Sequence, residues 1–171
     1  MSHGYIQLRR RCEAVLKRLL PEPFSLDALC RRLSEQRGRP LHLHPLPAQA
    51  ASAGACGLWL ATPDDDHIFF EQRTARPHQE HIVLHEIGHM LFDHHSLGSG
   101  ETGGVADLLT DLSPGLVGRL LARTDYTTRQ EQEAEMLASL IRTSEGRSRR
   151  LPGGALGELE AALGVGGPHA R

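Results

Sequence analysis

Aromatic residues make up only 4% of this 171-residue sequence, too few for a base-stacking surface that would grip single-stranded nucleic acid. Cysteine is scarce as well. Cys12, Cys30 and Cys56 are odd in number and form no CxxC pair, which excludes a disulfide framework and a cysteine-built zinc ribbon. They read as small buried apolar residues in a reduced, cytoplasmic protein. No apolar run approaches the roughly 18 residues a membrane span requires. The opening MSHGYIQLRRRCEAVL lacks an apolar stretch followed by small residues, so no secretory leader and no membrane association are expected. Internal repeats and coiled-coil heptads are also missing.

What remains is the composition of a globular protein, 39% apolar and 23% charged, long enough to bury a core of its own. The net charge of −2 conceals an asymmetry: residues 1–40 carry nine Lys/Arg against four acids, and the rest ten against seventeen. A basic end of this kind is compatible with DNA or an acidic partner, but a solvated helix face explains it more simply, and no direct nucleic-acid contact is expected.

Along the chain, Tyr5, Leu8, Cys12, Val15, Leu16 and Leu19 recur at helical spacing and predict a first helix that stops before Pro21. Ser25 is placed to cap a second, with Leu26, Leu29, Cys30 and Leu33 inside and Gly38 as its terminator. LHLHPL (41–46) alternates like a strand, and PAQAASAGA (47–55) reads as a loop. GLWLAT (57–62) and HIFFEQ (67–72) form an expected antiparallel pair joined through PDDD. From Pro77 a helix should run to about Asp93. A glycine-rich loop is expected over 96–104, then helical segments near 105–123 and 128–145. Residues 1–145 are thus expected to form one α+β domain, mainly helical, with 146–171 as linker and loose tail.

The chemistry is concentrated in LHEIGHMLFDHH, residues 84–95. HEIGH at 85–89 is an HExxH motif. On a helix, positions four apart share a face, so His85 and His89 can aim imidazole nitrogens at one ion, while Glu86 projects beside the open position as a general base. A catalytic zinc site needs a third protein ligand. His81 shares the face, but ligands spread from 81 to 89 span about 12 Å of helix, too far for one ion. His95 stands at the spacing of a third histidine in HExxHxxGxxH, although Phe92 occupies the place of the turning glycine. The remaining source is the acidic start of RQEQEAEMLASLI (129–141). There Glu131 and Glu135 lie one turn apart, so one can bind metal while the other orients a histidine.

HEIGHMLFDH followed by EQEAEMLASLI resembles the ImmA/IrrE family of zinc metallopeptidases, whose HExxH is followed by ExEAN-x-FA. The resemblance covers about residues 20–145. It implies a zincin-like fold, with a small antiparallel-containing sheet packed on the HExxH helix. It also implies zinc ligands at His85, His89 and Glu131 and a catalytic glutamate at Glu86. Glu135 stands where the family usually has Asn and Leu137 where it usually has Phe, and the Leu-Met-Pro that often follows is absent. The implied role is cleavage or inactivation of a partner helix-turn-helix repressor, in an arrangement like toxin and antitoxin.

The leading expectation is therefore a zinc metalloendopeptidase, with manganese as a second metal the same donors accept. Tyr126, just before the acidic helix, is the candidate to stabilise the oxyanion, with His95 behind it, and Glu135 the candidate support for a ligand histidine. The rival expectation is a regulator that masks a repressor without cutting it.

Overall fold

A computed structural model of the chain describes residues 3–52, 54–94 and 126–148. His95, the segment 96–104, the helices expected near 105–123 and the chain beyond 148 lie outside the described residues. Within them are five helices and a three-stranded mixed sheet, an α+β arrangement. No described helix is long and apolar enough to cross a membrane.

Helix α1 (His3–Leu19) buries Cys12, Leu16 and Leu19. Its apolar stripe begins at Leu8 rather than at Tyr5, which is exposed beside Ile6. Helix α2 (Leu26–Arg37) starts where Ser25 Oγ accepts from the Ala28 N–H at 3.1 Å. It ends at Gly38, whose φ of 66° suits a residue without a Cβ. Arg32 donates to the Leu20 carbonyl at 2.8 Å and ties α2 to the end of α1.

Strands β1 (Leu41–Pro45), β2 (Gly57–Ala61) and β3 (Asp66–Phe70) assemble in the order β1-β3-β2. The expected antiparallel hairpin is β2–β3, with Trp59 opposite Ile68, and β1 adds to the far side of β3 in parallel. The buried Asp66 carboxylate accepts from the Trp59 indole at 3.1 Å and from Arg37 at 2.7 Å, and Arg39 lies 3.1 Å away. These partners answer the cost of burying a charge.

Part of the loop expected over 47–55 is helical instead. Ala48–Ser52 forms a one-turn helix, α3, with the Ser52 hydroxyl donating to the Ala48 carbonyl at 2.8 Å. Alanine is the best helix former, and Ala50 covers Leu58, Leu60 and Phe69 on the face of the sheet turned away from the main core.

On the other face, Trp59 and Ile68 meet helix α4 (Arg76–Leu91), whose Val83, Leu84, Ile87 and Met90 are buried in the same core. Helix α5 (Thr128–Ser148) packs against both α4 and α1 through Ala134, Leu137, Ala138 and Ile141, at spacings of three and four. It runs three residues past its expected end at 145. The two site-bearing helices touch closely at Gly88: a Cβ there would lie 2.7 Å from Ala134 Cα and 3.0 Å from the Ala134 carbonyl oxygen. Glycine at this point is what lets α5 approach the histidine helix.

Candidate metal centre

His85 and His89 occupy successive turns of α4 on the side facing α5, and their Nε2 atoms are 3.0 Å apart. Glu131, in the first turn of α5, brings its carboxylate to 3.3 Å from His85 Nε2 and 3.5 Å from His89 Nε2. Ligands about 2.0–2.2 Å from a tetrahedral zinc stand about 3.3–3.5 Å from one another, so the three donors are already spaced for one ion. Among the described residues this is the one group of three such side chains whose ligand atoms all lie within 4.8 Å of one another. Burial, with His85 and His94 alongside, pushes the His89 imidazole down to about 3, which keeps a lone pair available there.

Glu86 lies beside the triad, lining the same cleft of about 410 Å³. It is 6% exposed, and its Oε2 has no hydrogen-bond partner among the described residues. Burial first, and the charge of Glu131 second, raise its carboxyl to about 8, against a lowering by the Trp59 backbone N–H. Room for this carboxyl comes from Gly57 on β2, where a Cβ would meet Glu86 Oε1 at 2.5 Å. A cation held by Glu131 would offset the second of these causes and favour ionised Glu86.

Glu135 stands behind His85. Its Oε2 is 3.5 Å from His85 Nδ1 and 3.1 Å from His81 Nε2, and Ser139 donates to its other oxygen at 3.1 Å. His81 is thereby engaged by Glu135 and is not among the converging donors. Tyr126 lines the cleft with its ring stacked on His89, centroids 3.6 Å apart and planes 13° from parallel.

Two further residues belong to this centre and carried no role in the sequence reading. His94 Nδ1 lies 3.0 Å from His89 Nδ1, and His94 Nε2 lies 2.8 Å from Glu133 Oε2. All three side chains are buried. The end of α4 explains the position of His94. Asp93 adopts φ 57°, the Asp93 N–H donates to Met90 O at 3.3 Å, and the His94 N–H donates back to His89 O at 2.9 Å. This is a Schellman turn with aspartate, which tolerates the left-handed region, in place of glycine. It folds the chain back so that residue 94 returns beside residue 89.

Glu133 meets Arg11 of α1 at 3.1 Å and Arg129 at 3.4 Å through its other oxygen. Burial works to raise this carboxyl, but the His94 hydrogen bond and the arginines outweigh it and hold it below its ordinary value. Arg11 also lies over the Phe92 ring, 4.7 Å from its centroid. The signals that could have marked these residues are the DH pair directly after the helix and the ExE spacing.

Comparison with protein-family models, with curated proteins and with solved structures gives no match.

Proposed function

We propose that this chain is a zinc-dependent endopeptidase with a zincin-like core, similar to the ImmA/IrrE family. The observation that carries the reading is the convergence of His85 Nε2, His89 Nε2 and the Glu131 carboxylate in one cleft with buried Glu86. Two neutral imidazoles and a carboxylate suit zinc, and manganese is the other ion they would accept. When bound, zinc supplies Lewis acidity that polarises a peptide carbonyl and lowers the pKa of water to about 7. Glu86 would take the proton from the water that attacks the carbonyl carbon on its unpartnered Oε2 and deliver it to the amine released as the C–N bond breaks. Tyr126 lines the cleft as the side chain proposed to stabilise the oxyanion, its ring fixed by the stack on His89.

The proposed substrate is a helix-turn-helix repressor, and the proposed setting the cytoplasm. Both rest on the resemblance of HEIGHMLFDH and EQEAEMLASLI to the family. The test is incubation of the zinc-loaded protein with such a regulator, comparing wild type with Glu86→Gln. Cleavage by wild type, with loss of at least about a hundredfold in a Glu86→Gln variant that still holds zinc, is expected for a general base. Relief of repression by a zinc-loaded Glu86→Gln protein would instead establish the masking regulator.

A further inference from the structure

The four ring nitrogens of His89 and His94 leave the protons of the two neutral imidazoles only one consistent arrangement. His89 Nε2 faces His85 and Glu131, so it is the atom that would bind an ion and must carry a lone pair. The proton of neutral His89 is then on Nδ1, which faces His94 Nδ1 at 3.0 Å. His94 Nδ1 must accept it, which places the His94 proton on Nε2, where Glu133 Oε2 accepts at 2.8 Å. A carboxylate at the far end therefore selects the tautomer of each imidazole in turn.

We propose that His94 and Glu133 are positioning residues for the metal centre: Glu133, acting through His94, holds His89 with Nε2 turned to the ion, and Arg11 fastens Glu133 to α1. The inference rests on the metal-binding reading of His85, His89 and Glu131, and it stands whether or not the protein cleaves peptides. Ligand histidines generally donate their second N–H to an acceptor that fixes ring and tautomer. Here the acceptor is another imidazole, delivered by the Schellman turn at Asp93 and itself oriented by the carboxylate. The whole chain is buried: His89 is 1% exposed, His94 4% and Glu133 6%, so water cannot stand in for a lost partner. A pair present merely to satisfy its own buried polar groups would leave the metal indifferent to its replacement.

The experiment measures zinc affinity by chelator competition and the visible spectrum of the cobalt(II)-substituted protein, with the melting temperature of the metal-free form as a check on folding. His94→Leu should weaken zinc about 10- to 100-fold and shift the cobalt bands. His94→Gln, whose amide can accept from His89 and donate to Glu133, should restore affinity to within about threefold of wild type, well short of that loss. If His94→Leu does not fold, Glu133→Gln serves in its place, with a loss of about tenfold expected and an altered cobalt spectrum. Wild-type affinity and an unchanged spectrum in a folded His94→Leu or Glu133→Gln protein overturn the inference. Unchanged zinc affinity in His85→Ala would overturn the metal-binding reading itself, an outcome the His94 variants cannot mimic.

Discussion

His85 and His89 sit one turn apart on the same helix, yet their second ring nitrogens are held in opposite ways. His85 is 21% exposed and its Nδ1 looks to Glu135, a carboxylate 54% exposed and 3.5 Å away that it shares with His81. His89 is buried, and its Nδ1 enters a closed sequence of His94, Glu133 and Arg11 that ends on another helix. The difference follows from where each lies. The outer arm borders the cleft, where water competes for every hydrogen bond and screens every charge. The inner arm runs between α4, α5 and α1, where an unmade hydrogen bond costs its full desolvation. The inner arm should thus set the geometry of the centre, while the outer arm remains adjustable at the mouth of the cleft.

The largest effects should come from changes that strike both arms together. His85→Ala, His89→Ala and Glu131→Ala are each expected to abolish stoichiometric zinc binding by removing one of the three proposed ligands. The metal-free fold should survive, since the core of Leu29, Leu33, Ile68, Ile87, Leu137 and Ile141 does not depend on the ion. Elemental analysis and circular dichroism check both halves. Full zinc occupancy in Glu131→Ala, with loss in His95→Ala, would move the third ligand to His95. In the wild type, zinc at a hundred times its dissociation constant should add about 2.7 kcal/mol to the unfolding free energy.

Gly88→Ala should come next. The added Cβ has 2.7 Å to Ala134 Cα, a backbone atom that no side-chain rotation can clear. Overpacking of this kind costs about 1–3 kcal/mol. Relief requires α5 to back away, carrying Glu131, Glu133 and Glu135 with it, so zinc affinity should fall along with the melting temperature. A variant that melts lower but binds zinc as tightly as wild type would show that the centre tolerates a displaced α5.

Comparing the arms directly gives a smaller contrast. Glu135→Ala is expected to weaken zinc by about tenfold or less, at the low end of the range for an outer hydrogen-bond partner, because water can reach His85 Nδ1. His94→Leu should cost more. Equal losses would mean that burial does not separate the arms.

Much of this frame could be read in the sequence because it is local. Ser25 and Gly38 bracket α2 through a hydroxyl and a missing Cβ, and the PDDD turn joins β2 to β3, all within a few residues. His85 and His89 follow from helical spacing, and Glu131 with Glu135 from a shared face. What stayed hidden depends on contacts distant in sequence or on one unusual backbone angle. The parallel pairing of β1 with β3 joins segments 25 residues apart around α3. The alanines of α3 look like loop filler until a sheet face needs cover. Glu133 resembles its acidic neighbours in sequence and is told apart only by packing against α1. His94 is brought into the centre by φ 57° at Asp93, and aspartate after a helix does not by itself announce a left-handed turn.

Arg11 offers the finest test of the two-arm picture. Its guanidinium is the outermost part of the inner arm, with the side chain 54% exposed, and Glu133 retains His94 at 2.8 Å and Arg129 at 3.4 Å without it. Partly exposed ion pairs contribute about 0–1 kcal/mol, so Arg11→Met should lower zinc affinity by no more than about fivefold. Methionine preserves apolar contact with Phe92, which separates loss of charge from loss of packing. The informative quantity is the coupling. Combined with Glu133→Gln, Arg11→Met should add almost nothing further, because the two residues act through the same contact. Combined with Glu135→Ala, its effect should add in full, within about 0.5 kcal/mol, as changes without shared partners do. Strong coupling of Arg11 to Glu135, measured by zinc affinity in a double-mutant cycle, would show that the outer and inner arms respond as one.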